Sequence, residues 1–267
     1  AKRLVATADV VVDGFKPGVI KKLGLGYDTL KEIKPDIIML STSANGGIGP
    51  ESQFSGYAPM FNATGSLGDM TGYPDGPPTV MRLSIDNLVA HLNAFAIMAA
   101  LIHKKETGEG QYIDTSSQEG IACLVGDSVM DYTMNGRVQT RNGNSDDAMA
   151  PHNCFHCIGE DKWISIAVAT DEEWRALCQT MGNPAWCREL RFADAYSRWY
   201  HQEELDKLME SWAVEQNNFD LMHQLQQKGV AAVPSYTSED LFTNEHLAER
   251  EFSQLIDRPI GKYMIVS

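Results

Sequence analysis

The sequence predicts an α/β protein: a partial doubly wound, Rossmann-like parallel-sheet domain over residues 1–135, a linker over 136–150, and a smaller α/β domain over 151–267. Three observations carry this. Two short Val- and Ile-rich runs, ADVVVD (8–13) and DIIMLSTS (36–43), flank a helix-like segment from Pro17 to Lys34, the signature of a βαβ unit in a parallel sheet. A long apolar periodicity from Asn87 to Lys105 ends in a glycine-bearing turn and a third short run, Tyr112 to Thr115. Beyond a polar stretch rich in Asn and Gly (136–150), the strand pattern restarts at KWISIAVA (162–169).

Each element has a local reason. After the second strand, NGGIGP (45–50) is a glycine and proline loop, a helix is expected from about Tyr57, and YPDGPP (73–78) is a turn whose dihedrals Pro and Gly fix. Leu88, Leu92, Phe95, Ala99 and Ile102 recur at helical spacing, so this stripe is expected to pack on a core. TGEGQ (107–111) supplies the helix stop. A further helix is expected from Ser117 to about Met134, then one capped by Asp171 and running through Thr180, and Gln202 to Lys228 reads as mostly helical.

Composition narrows the function. Of 267 residues, 43% are hydrophobic and 22% charged, ordinary for a globular fold. The net charge of −14 repels polyanions, so no nucleic-acid partner is expected. The longest nearly unbroken apolar stretch, Ala94–Ile102, falls short of a membrane span, and no membrane association is expected. Charge is uneven: residues 1–34 hold seven basic side chains against four acidic ones, so the phosphates of a ligand would sit near this segment. Lysines that merely solvate helix faces explain the same bias. Five cysteines in no dense pairing suggest a reducing, cytoplasmic setting.

Cys154 and Cys157, flanked by His152 and His156, are residue types that bind zinc. Their stretch reads as extended, which points residues 154 and 157 to opposite faces, and no second close pair completes a tetrahedral site, so no metal is expected. No P-loop, G-x-S-x-G elbow or H-E-x-x-H motif is present. Asp86 stands where an irregular segment (79–84) meets the long helix. From local pattern it reads first as an N-cap, and as the alternative a carboxylate aimed out of the fold for nucleophilic attack, beside N–H groups open to an oxyanion.

Four segments in order, residues 8–43, GYPDGPPT (72–79), 85–116 and 229–252, resemble the class III CoA-transferases, a family that includes formyl-CoA and carnitine CoA transferases. The resemblance implies an enzyme that moves coenzyme A between carboxylic acids. Its nucleophilic aspartate lies just before the helix leading into T-G-x-G-Q, which falls on Asp86. The chemistry so implied is attack on an acyl-CoA to give a mixed anhydride and then an aspartyl-CoA thioester. Thioester exchange is near thermoneutral, so no cofactor is implied and coenzyme A is substrate and carrier.

The resemblance also places Phe15 and Lys16 in the family's N-F-R-P-G segment, at the adenine and ribose of CoA, with Gly14 and Lys16 replacing its Asn and Arg. Lys22 becomes a candidate for a CoA phosphate and Tyr57 for the thioester end. Phe15 reads otherwise as a core aromatic, Lys22 as a solvated helix face and Tyr57 as helix packing. No histidine precedes His91, which disfavours the family's racemases, and the family's glycine after the aspartate is Ala90 here. An acyl-CoA thioesterase of the same fold and a silent binding or assembly module are the alternatives. Relative to the family the chain is expected to lack the first βα units and a C-terminal segment. The resemblance further implies a homodimer of interlocked rings.

Overall fold

The computed structural model describes residues 1–81, 84–259 and 261–266. The chain divides into two compact units, Ala1–Gly143 and Asn144–Ser267.

The first unit holds, in order, α1 (Lys2–Val5), β1 (Val10–Asp13), α2 (Val19–Lys22), α3 (Tyr27–Ile33), β2 (Ile38–Ser43), α4 (Ala58–Thr64), α5 (Leu67–Met70), α6 (Ser84–Thr107), β3 (Tyr112–Ser116), α7 (Ser117–Ala122) and α8 (Gly126–Asn135). The strands form a parallel sheet in the order β1-β2-β3, with Val10 opposite Ile38 and Met39 opposite Tyr112. Ile38, Met39 and Leu40 of the central strand are buried, the continuous apolar run that a parallel strand covered on both faces requires. Val12 of the edge strand remains exposed.

The segment expected as one helix from Pro17 to Lys34 is two, because Gly24 takes a positive φ of 72° and breaks the run. The helix expected from Ser117 is likewise interrupted by a 3₁₀ turn at Cys123–Val125. The turn after α6 needs both of its glycines. Gly108 adopts φ 77°, and a Cβ on Gly110 would run into the Ile37 carbonyl oxygen.

The long helix α6 corrects the expected packing face. Ile85, Val89 and Ala100 are buried, whereas Leu92, Phe95 (74% exposed), Met98 and Ile102 face outward. Both stripes have helical spacing, and polar anchors choose between them. Asn93 Nδ2 donates to Thr42 Oγ1 of β2 at 3.2 Å. Lys104 Nζ lies 2.9 Å from Asp9 and 2.8 Å from Asp36, at the starts of β1 and β2. The side bearing Asn93 and Lys104 is thereby turned to the sheet. By length and composition residues 85–107 could cross a membrane, which the shorter run Ala94–Ile102 does not convey.

The second unit contains β4 (His152–His156), β5 (Trp163–Ala167), α9 (Asp171–Thr180), α10 (Ala195–Tyr200), α11 (Gln202–Ala213), α12 (Asn218–Gln226), β6 (Ala231–Pro234), α13 (Ser238–Thr243), α14 (Glu245–Glu249) and the hairpin β7 (Ser253–Arg258) and β8 (Gly261–Val266). β4, β5 and β6 form an antiparallel sheet in that order. Its core joins Phe155, Ile164 and Ile166 to Trp174, Leu177, Phe192, Leu205, Met209 and Leu225. The cap of α9 is Thr170 in a capping box with Glu173, not Asp171. Asp171 instead pairs at 2.8 Å with Arg198, a fully buried guanidinium that also donates to the Ala150 and Phe192 carbonyls and lies over the Trp174 ring.

Candidate active site

The anchors of α6 set its direction. Its C-terminal Lys104 sits at the amino ends of β1 and β2, and Asn93 sits by Thr42 near the carboxyl end of β2, so α6 runs against the strands. Asp86 lies seven residues before Asn93, nearly two turns, which returns it to the same side and about 10 Å further along the axis. It therefore projects past the carboxyl edge of the sheet, where open α/β sheets bind ligands. Asp86 is exposed and occupies the first turn of α6 as its third residue, not the N-cap position. Among the described residues none forms a hydrogen bond or ion pair with its carboxylate, and the positive end of the helix dipole favours a negative group there.

Two carboxylate contacts shape the loops at this edge. Asp13, at the end of β1, is 5% exposed. Its carboxylate accepts from the Phe15 backbone N–H at 2.9 Å and from the Ser41 hydroxyl at 3.3 Å, which fixes the turn into Phe15 and Lys16. After β2, the Gly47 N–H donates to both oxygens of Asp114 of β3, at 3.0 and 2.9 Å. A Cβ on Gly47 would lie 2.8 Å from Asp114 Oδ2, so only glycine permits this approach. The Ser116 side chain caps α7 by accepting from Glu119 N, and the Gln118 N–H donates to Ala44 O, holding the start of the same loop. Ser43 Oγ and Asn93 Oδ1, also near the end of β2, are buried without a partner among the described residues.

Phe15 and Lys16 are exposed on the loop after β1 and so reach the edge past which Asp86 projects. Tyr57 is the N-cap of α4 and 77% exposed. The next residue, Ala58, packs on the cluster of Ile85, Val89 and Ile121, and Ile85 precedes Asp86. The packing readings of Phe15 and Tyr57 do not hold, because both rings are largely exposed. Lys22 closes α2, exposed, and no contact among the described residues ties its side chain to this edge.

Asp13 and Asp114 escaped the sequence reading. Asp13 had a signal, an Asp before Gly at a strand end, which favours a side-chain-to-backbone turn. Asp114 had none, since its partner is 67 residues away.

In the second unit the described strands pair antiparallel. Cys154 lies within β4 opposite Ser165, while Cys157 is buried and burial pushes its thiol up to about 11, which suits a core residue rather than a ligand. Among the described residues no three His, Cys, Asp or Glu side chains are grouped as a metal ion requires.

A family model described as CoA-transferase family III matches residues 1–267. The chain is similar to a succinyl-CoA–D-citramalate CoA-transferase of Chloroflexus aurantiacus, 32% identical over 94% of this chain and 62% of that protein. It is also similar to a succinyl-CoA:mesaconate CoA-transferase of Haloarcula marismortui, 34% identical over 96% of this chain and 65% of that protein. The chain thus spans somewhat less than two thirds of these relatives. Among solved structures, a CAIB/BAIF family protein from Brucella suis superposes with a TM-score of 0.87 at 31% identity, over 97% of this chain and 68% of that one.

Proposed function

The chain belongs to CoA-transferase family III, whose model it matches over residues 1–267, and from that premise we propose that it transfers coenzyme A between carboxylic acids with Asp86 as nucleophile. The observation that carries the reading is the place of Asp86: exposed, in the first turn of α6, past the carboxyl edge of a parallel sheet. The relatives named for succinyl-CoA make succinyl-CoA the donor to try first.

The Asp86 carboxylate attacks the thioester carbonyl, the C–S bond breaks, and CoA leaves as thiolate from an acyl-aspartyl anhydride. The thiolate then attacks the aspartyl carbonyl, releasing the donor acid as carboxylate and leaving CoA on Asp86. The acceptor carboxylate reverses both steps and carries CoA away. Each step exchanges one acyl bond for another and uses no resident cofactor, so the protein's task is to position the partners and stabilise each oxyanion. Phe15 and Lys16 would hold the nucleotide end, Lys22 a phosphate, and Tyr57 the thioester end.

We further assign the chain to a homodimer in a reducing, cytoplasmic setting. The outward stripe of Leu92, Phe95, Met98 and Ile102 is the kind of surface that a second copy covers, and all five cysteines are free.

The test is to supply succinyl-CoA with a panel of carboxylic acids and to follow new acyl-CoA by chromatography. Transfer is expected, and Asp86→Asn should reduce it by at least about 10³-fold, since the nucleophile itself is removed. Free CoA as sole product at every acceptor concentration would put the hydrolase in its place.

A further inference from the structure

Asp86 is exposed, and no described residue bonds its carboxylate, so the backbone of the first turn of α6 sets where it points. That backbone is held from behind. Ile85 is fully buried, and Ala58 and Phe61 of α4, Leu67 of α5 and Met81 of the segment entering α6 pack on its cluster.

The next residue of α4, Asn62, buries an amide, with 2% of the residue exposed. A buried amide is unfavourable unless it is hydrogen-bonded. Its Nδ2 donates to the Thr79 carbonyl at 3.0 Å, whereas its Oδ1 is buried with no partner among the described residues. A leucine would fill the same volume without that unpaired oxygen, so packing alone does not account for an amide here.

Thr79 is gripped on both sides. Its N–H donates to Thr71 O at 2.9 Å, and the Thr71 hydroxyl donates in turn to Leu67 O at 2.7 Å. The Asn62 bond to its carbonyl completes a clamp joining α4, α5 and the chain that runs into α6. Gly68 makes room for it. A Cβ there would lie 2.7 Å from Asn62 Nδ2, so a methyl displaces the amide.

We propose that Asn62 is a positioning residue for the nucleophile: through Thr79 it fixes the entry to α6, and with it the place from which Asp86 reaches the thioester carbonyl. The assignment rests on the CoA-transfer reading and adds to it a buried residue that touches no substrate. A displacement of about 1 Å at a reacting group can cost about 10²-fold in rate, so one bond behind the nucleophile is enough to matter.

The test uses two variants that break the same bond by different routes. Asn62→Leu keeps the volume and removes the donor, while Gly68→Ala keeps the donor and displaces it. Each should lower kcat for CoA transfer from succinyl-CoA by about ten-fold or more, hold the KM for succinyl-CoA within about two-fold, and melt near the wild-type temperature. Hydrogen exchange in the first two turns of α6 should quicken in both. Wild-type kcat in both variants, a KM that rises as far as kcat falls, or losses of kcat that track losses in melting temperature overturn the assignment and leave the CoA-transfer reading standing. Wild-type protein that moves no CoA to any acid tried sinks that reading instead, and exchange then decides the clamp. Quickened exchange in both variants keeps it, and unchanged exchange removes it.

Discussion

At the scale of single residues, two carboxylates at the sheet edge differ in what surrounds them. Asp86 is exposed and unengaged among the described residues, while Asp13 is buried and bonded to the Phe15 N–H and the Ser41 hydroxyl. Removing the first should therefore cost chemistry and little stability. Asp86→Asn gives up only a favourable helix-dipole contact, about 0.3–1 kcal/mol, so its denaturant midpoint should stay close to wild type while transfer disappears. Asp13→Ala should do the reverse. It removes two part-buried hydrogen bonds, a loss of about 1 kcal/mol, and by loosening the Phe15 turn it should raise the KM for acyl-CoA more than it lowers kcat. Asp86 was singled out in the sequence by the family resemblance, which sets the candidate aspartate just before the helix leading into T-G-x-G-Q. The anchoring role of Asp114 was not, since it depends on a register between strands that local pattern does not encode.

At the scale of elements, α6 is both the most legible helix and the one whose orientation the sequence did not give away. Its apolar residues announce a helix, yet the stripe that packs includes Asn93 and Lys104, polar residues that periodicity assigns to solvent. The hydrogen bond from Lys104 holds the Asp9 carboxyl below its ordinary range, aided by the charges of Lys104 and Lys34, and does the same for Asp36. A carboxylate with a depressed folded pKa stabilises the fold above its unfolded value, about 3.9, and that contribution is lost as pH falls below it. Lys104→Met should thus flatten the part of the acid-denaturation profile that lies below about pH 4. On Lys104 itself burial acts to lower the pKa, but its bonds to Asp36 and Asp9 more than offset this and raise it. Its own contribution is then present below about 10.4 and lost as pH rises through the higher folded value. The turn after α6 offers a steric counterpart. Gly110→Ala should destabilise by about 2–4 kcal/mol through its clash with the Ile37 carbonyl. Gly126→Ala, in a helix with nothing within 4 Å of the new methyl, should stabilise by about 0.5–1 kcal/mol.

At the scale of the whole molecule, the two units have separate cores, and substitutions should be felt where they fall. Arg198→Met leaves two carbonyls without their buried donor, while Asp171 is half exposed and regains water, and should cost about 1–3 kcal/mol, read by hydrogen exchange as lost protection in residues 144–267 first. The exposed stripe on α6 belongs to this scale too. Light scattering at micromolar concentration should give the mass of a dimer, and Phe95→Glu should shift it toward the monomer, since a charge in a desolvated interface is costly. The measurement that bears most directly on the account is a trap on the catalytic carboxylate. Incubation with succinyl-CoA followed by borohydride should convert Asp86, and no other aspartate, to homoserine in the peptide mass map. The conversion should depend on the acyl-CoA. Sustained transfer of CoA with Asp86 unmodified, or with another side chain reduced in its place, would contradict it.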